Sequence, residues 1–159
     1  MEINFLALIV AALSTLVVGF IWYNPKTFGG IWMRESGLTE EQLKGSNIVK
    51  TMILSVIFAF FIAFILQFLV IHQFGAVGMV GDPASTSESF ATFMSEYGTA
   101  YRTFKHGALH GFMSGLLLAL PLIATNALYE RRSWKYTLVT GGFWIVCFTL
   151  MGGIICAWV

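Results

Sequence analysis

Long apolar runs separated by short polar connections set the pattern of this chain. A helix needs about 20 mainly apolar residues to cross a bilayer core. Four runs qualify: Ile3 to Tyr23, about Ile48 to Ile71, about Phe104 to Leu128, and about Tyr136 to Val159. Charged residues stay at the ends of these runs. The deepest acidic or basic groups are the histidines near the start of the third. The pattern predicts an all-α integral membrane protein, with four transmembrane helices and short amphipathic helices at the interfaces.

The connections carry their own signals. Asn24-Pro25 stops the first helix. Beyond it Phe28, Ile31 and Trp32 share a face between Lys26 and Arg34, which predicts a short helix lying in the interface. Thr39-Glu40-Glu41-Gln42 has the form of a capping box, with a brief helix ending at Gly45. The second run, through Phe58, Phe60, Phe61, Phe64 and Phe68, is apolar nearly all round, and Gln67 is its one strongly polar interior residue. An outer segment follows, from about Phe74 to Thr103. Gly75, Gly78, Gly81 and Asp82-Pro83 predict a flexible turn region there, and Ser85-Thr86-Ser87-Glu88 offers a second capping box. Phe90, Phe93, Met94, Tyr97 and Tyr101 then repeat at helical spacing, predicting an amphipathic helix on the membrane surface or over the bundle end. Pro121 predicts a kink in the third helix, because its ring frees the carbonyl of Leu117.

The third run opens on the most informative stretch, His106-Gly107-Ala108-Leu109-His110-Gly111-Phe112-Met113-Ser114-Gly115. On a helix, Gly107, Gly111, Gly115 and Ala119 form one ridge without bulky side chains. His106 and His110 form a second stripe about 100° round from it. A small-residue ridge admits another helix at close range, within the bundle or between protomers. Gly141-Gly142 and Gly152-Gly153 give the fourth run the same capacity. Trp22, Tyr23 and Trp32 suit an interfacial aromatic belt.

Composition agrees with the pattern. The chain is 57% hydrophobic and 11% charged over 159 residues, against roughly 25% charged in soluble domains. That places residues 1–159 in one membrane domain. The formal net charge is +1, and Lys and Arg are scattered, so nucleic acid is not an expected partner. Cys147 and Cys156 fall on opposite faces of the fourth helix. They cannot pair within it and are expected to pack as small apolar residues. Met1-Glu2-Ile3-Asn4 lacks the positive start of a signal peptide, so the first helix is expected to be retained. Lys26, Arg34, Lys44 and Lys50 lie in the first connection, and Arg131, Arg132 and Lys135 in the third. Only Arg102 and Lys105 lie in the second. The positive-inside rule then places both termini and the outer segment on the outer side of the cytoplasmic membrane.

Several of these residues resemble a known family. They are Asn4-Phe5-Leu6-Ala7, Trp22-Tyr23-Asn24-Pro25, Phe28-Gly29, Trp32-Met33, Gly37-Leu38-Thr39-Glu40-Glu41, Asn126-Ala127-Leu128-Tyr129-Glu130-Arg131-Arg132, Met151-Gly152-Gly153 and Trp158. The chain resembles the membrane family catalogued as domain of unknown function 1761 over nearly its whole length. The resemblance implies a small four-helix integral membrane protein, mostly bacterial, and brings no activity or catalytic residues with it.

Candidate chemistry centres on the histidines. The topology puts His72, at the end of the second helix, at the same depth as His106 and His110. Two histidines four apart on a helix can ligate one metal, and a third from a neighbouring helix completes a three-nitrogen site for zinc or copper. Asp82, Glu88 or Glu96 could add an oxygen. The same residues also fit a headgroup-region histidine, a hydrogen bond across a helix contact, a haem ligand or a pH sensor. Transport is a second option. The four runs lack the carboxylates that mark coupled transporters, which leaves an oligomeric pore lined by Ser14, Thr15, Ser55, Ser114 or Asn126. No nucleophile elbow, zinc-protease motif or phosphate loop is present, so no enzyme is expected. The leading expectation is a non-catalytic accessory or scaffold subunit, or a small-solute passage protein. It would sit in the lipid bilayer as a homo-oligomer or as a subunit of a larger membrane complex. A metal- or haem-binding protein built on the three histidines is the alternative.

Overall fold

The computed structural model describes residues 2–80 and 87–159. Among them there is no strand. The order is α1 (Phe5–Trp22), α2 (Gly29–Ser36), α3 (Glu40–Lys44), α4 (Ile48–Val70), α5 (Gln73–Val80), α6 (Glu88–Tyr97), α7 (Phe104–Ser114), a π-helical segment (Gly115–Ala119), α8 (Leu120–Tyr129) and α9 (Trp134–Ala157). Four helices are long and apolar enough to cross a membrane: α1, α4, the continuous unit Phe104–Tyr129, and α9.

Side-chain caps begin these helices where the polar residues interrupt the apolar pattern. The carbonyl oxygens of Asn4 and Asn47 accept from the backbone N–H groups of Ala7 and Lys50, and the Thr103 hydroxyl accepts from His106. Each satisfies one of the orphan donors of a first turn. Thr39 and Gln42 form the reciprocal capping box of α3, which ends at Gly45. At the other end of α1, the Thr27 hydroxyl reaches the carbonyl oxygens of Ile21, Trp22 and Asn24. A β-carbon at Gly29 would overlap the Tyr23 carbonyl oxygen, so the tight turn after Asn24-Pro25 requires glycine there. Gly37 closes α2 in the left-handed conformation, at φ 72°.

Helix α9 is the centre of the bundle, contacting α1, α2, α4, α7, the π segment and α8. Cys147 and Cys156 lie on opposite faces of α9, and both are fully buried because α9 is enclosed on both sides. Ala7, Ala11 and Ala12 on α1 and Ala59 and Ala63 on α4 are buried, with Leu8, Leu66 and Met151 filling the core beside them. The outer faces carry exposed Phe20, Phe58, Phe61 and Ile65, as helices facing lipid do.

The glycine ridge is spent inside the bundle. A β-carbon at Gly107 would overlap the carbonyl oxygen of Gly152, one at Gly111 that of Phe148, and one at Gly115 would come within 2.8 Å of the Ile145 Cα. Ala119 packs against the core. The reciprocal surface of α9 includes Gly152 and Gly153, which lie against Gly107 and Phe104.

Trp22, Tyr23 and Trp32 each have packing partners in the bundle, Phe28 for Trp22 among them. The Trp22 indole N–H donates to the Val139 carbonyl oxygen at 3.0 Å. Tyr23 packs against Trp32 and Phe143, at ring-centroid distances of 5.4 and 5.1 Å.

Two local expectations are corrected, and a third takes a specific form. Residues 73–80 form helix α5, although a flexible glycine turn was expected. Phe74 packs on Phe68 with ring centroids 5.0 Å apart, and an apolar segment at the bundle end satisfies its backbone groups best within a helix. Gly81 and Asp82-Pro83, with Ser85 and Thr86 of the second expected capping box, lie outside the described residues. The cap seen for α6 is Ser87, whose hydroxyl accepts from Phe90 N–H at 3.3 Å. Helix α6 stops at Tyr97 with Gly98 as its cap, so Tyr101 leaves the amphipathic stripe. At Pro121 the disturbance takes the form of the preceding π-helical segment, where the Leu120 N–H bonds to the Gly115 carbonyl. The N–H missing at Pro121 leaves this region without its regular α pairing, and the wider turn absorbs the mismatch.

Candidate metal centre

Two elements bring the three histidines together. Helix α4 ends at Val70, and Ile71 turns the chain into an extended conformation, with its N–H on the Gln67 carbonyl. That turn throws His72 across the end of α7. The Thr103 cap fixes the start of α7 so that His106 lies in the first turn and His110 one turn deeper. Residues four apart share a helix face. The glycine contacts with α9 fix the depth and rotation of that face.

The Nε2 atoms of His72 and His106 are 2.9 Å apart. Ring centroids are 4.9 Å apart for His72–His106 and His72–His110, and 4.5 Å for His106–His110. One ring nitrogen from each histidine lies within 4.8 Å of one from each of the others. A tetrahedral zinc with nitrogens at about 2.0–2.1 Å separates its ligand pairs by about 3.3 Å. The His72–His106 pair lies slightly inside that value and no pair exceeds it by more than about 1.5 Å, so the cluster has the dimensions of a three-nitrogen site. His72 is exposed and the other two are half-buried, so the cluster opens on the surface of the bundle.

Oxygen ligands do not join the cluster among the described residues. Glu88 and Glu96 are exposed on α6 and stand outside the group, and Asp82 lies outside the described residues. Among the described residues the donor set is three imidazoles. Their rings meet edge to face or tilted, at centroid distances under 5 Å. Rings in mutual contact leave no flat slot between them for a porphyrin ligated from both faces.

A second layer holds the site in place. The Gln73 amide nitrogen donates to the carbonyl oxygens of Tyr97 and Ala100 at 2.8 and 2.9 Å. The Arg102 guanidinium donates to the carbonyl oxygens of Cys156 and Trp158 at 2.9 and 2.7 Å, capping the end of α9. The Cys156 thiol shares its proton between the Val70 and Tyr101 carbonyl oxygens, each at 3.4 Å. Tyr101 stacks on His106, with centroids 5.1 Å apart and planes 29° apart. Sequence reasoning missed this layer. Tyr101 fitted a helical stripe, and only the Tyr97-Gly98 pair hinted that the helix ends earlier.

The pore candidates do not converge. Ser14, Thr15 and Ser114 donate to the Ala11, Ala12 and His110 carbonyls of their own helices. Ser55 and Asn126 are exposed on the outer surface of the bundle.

The profile of one family, described as "Protein of unknown function (DUF1761)", matches residues 6–156. The chain belongs to that family. The match takes in all four membrane-length helices and all three histidines, and its description assigns no activity. No curated protein and no solved structure matches the chain.

Proposed function

We propose that this member of the DUF1761 family is a non-catalytic membrane protein that binds one transition-metal ion, zinc or copper, through His72, His106 and His110. The observation that carries the reading is the convergence of three imidazoles from two separate elements within 4.8 Å. Imidazole suits both metals. Three protein ligands leave a fourth position for water or an exchangeable donor, the pattern of an open rather than a closed structural site. An exposed His72 beside two half-buried partners suits an ion that arrives from solution and departs to another carrier.

Orientation follows from charge. The histidines share one end of the bundle with the start of α1 and the end of α9, and Lys26, Arg34, Lys44, Lys50, Arg131, Arg132 and Lys135 gather towards the opposite end. The positive-inside rule puts the histidine end outside the cytoplasm. The glycine ridge lies inside one chain, so the site needs no second protomer. A haem held between two of these histidines loses support from the ring contacts, and a pore within a single chain loses it from the scattered hydroxyls.

The test is a zinc and copper titration of untagged protein in detergent, beside a His106→Ala/His110→Ala double variant. One ion per chain in the wild type, lost in the variant, is expected. Equal binding by both proteins, or by neither, overturns the reading.

A further inference from the structure

We infer that Tyr101 is the positioning residue of this centre: a strained backbone conformation holds its ring against His106 and fixes that imidazole for the metal. The inference rests on the metal-binding reading above. Tyr101 has φ 62°, in the left-handed region where a bulky residue is a genuine outlier. Such strain persists only where the surroundings over-determine it, and it clusters at functional sites.

The surroundings here are specific. Gln73 pins the carbonyl oxygens of Tyr97 and Ala100 on one side, and Arg102 anchors the chain to the end of α9 on the other. The Tyr101 carbonyl oxygen accepts from the Thr103 N–H at 2.8 Å and from the Cys156 thiol. With its backbone held this way, the Tyr101 ring stacks on His106 and meets His72 edge-on at 6.5 Å. Burial does not explain the arrangement, because Tyr101 remains 68% exposed. The contact with the histidines is what the strained conformation achieves.

A ligating histidine is ordinarily oriented by a hydrogen bond at its other ring nitrogen. Among the described residues, the only hydrogen bond of the His106 side chain is the one to His72. Stacking by Tyr101 takes the orienting role instead. It aims Nε2 at the shared position and screens one side of the imidazole from water, which slows loss of the ion.

The experiment measures zinc affinity and chelator-driven zinc release on the full chain in detergent, for wild type, Tyr101→Phe, Tyr101→Asn and Tyr101→Gly. Asn and Gly accept the left-handed backbone without supplying the ring, so both are expected to fold and to melt, without zinc, at or above the wild-type temperature. Phe keeps the stack and is expected to release zinc like wild type. Asn and Gly are expected to release it about tenfold faster and to bind correspondingly more weakly, the scale seen when a ligand's outer support is removed. Wild-type release rates in both Asn and Gly variants, with wild type binding zinc, overturn the role of Tyr101 and leave the metal reading standing. Lowered zinc-free melting temperatures in both would make Tyr101 a structural residue and also overturn it. A wild type that binds no zinc overturns both.

Discussion

Gly107 and Gly152 meet backbone to backbone: a β-carbon on either would overlap the carbonyl oxygen of the other. This contact joins α7 to α9 and sets the depth at which His106 and His110 face His72. Gly111→Leu, one turn along, forces a side chain into the Phe148 backbone. We expect a loss of about 3 kcal/mol or more, at the upper end of overpacking costs because backbone must move. Gly78→Ala is the control, since nothing lies within 4 Å of a β-carbon there. It should melt at the wild-type temperature or gain up to about 1 kcal/mol from helix propensity. Equal melting of Gly111→Leu and wild type in detergent would contradict the packing account.

His72→Ala, His106→Ala and His110→Ala each remove one donor while leaving the glycine contacts intact. Each variant should melt near the wild-type temperature without metal and bind zinc at least about tenfold more weakly. A variant that keeps wild-type affinity shows that its histidine is not a ligand.

Metal binding should weaken as the pH falls. Imidazole ligates only in its neutral form, so protons compete with the ion and binding releases them. Calorimetric titrations in buffers of different ionisation enthalpy count the protons released. A zinc affinity that is flat between pH 5 and 8 would point to oxygen ligands or to no specific site.

Ser89 on α6 and Ser46 after α3 are exposed at opposite ends of the bundle, while the native Cys147 and Cys156 are buried. In intact cells a membrane-impermeant maleimide should label Ser89→Cys and spare Ser46→Cys. The reverse pattern would turn the histidine end towards the cytoplasm.

Much of this architecture is legible in the residues themselves. Helix starts follow from local rules, because Asn4, Asn47 and Thr103 cap with their own side chains where an apolar run begins, and Thr39 does the same for the short polar α3. The pairing of His106 with His110 follows from helical periodicity, and the approach of His72 from topology alone. What stayed hidden depends on tertiary context. Phe74 finds Phe68 only in the folded bundle, so residues 73–80 read as a glycine turn although they form a helix. The left-handed backbone of Tyr101 is imposed by Gln73 and Cys156, and by Arg102 through Cys156 and Trp158; all but Arg102 itself are distant in sequence, and the contacts run through carbonyl groups that carry no sequence signature. The aromatic character of Trp22 and Tyr23 is visible in the sequence, whereas their partners in the bundle, Val139 and Phe143, are not.

The most direct test of the metal centre is elemental analysis combined with zinc-edge X-ray absorption on untagged protein purified in mild detergent and loaded with one equivalent of zinc. The account predicts one tightly held zinc per chain, with three imidazole nitrogens at about 2.0–2.1 Å and one exchangeable oxygen donor. Zinc that washes away, or a first shell made of oxygen alone, would contradict it.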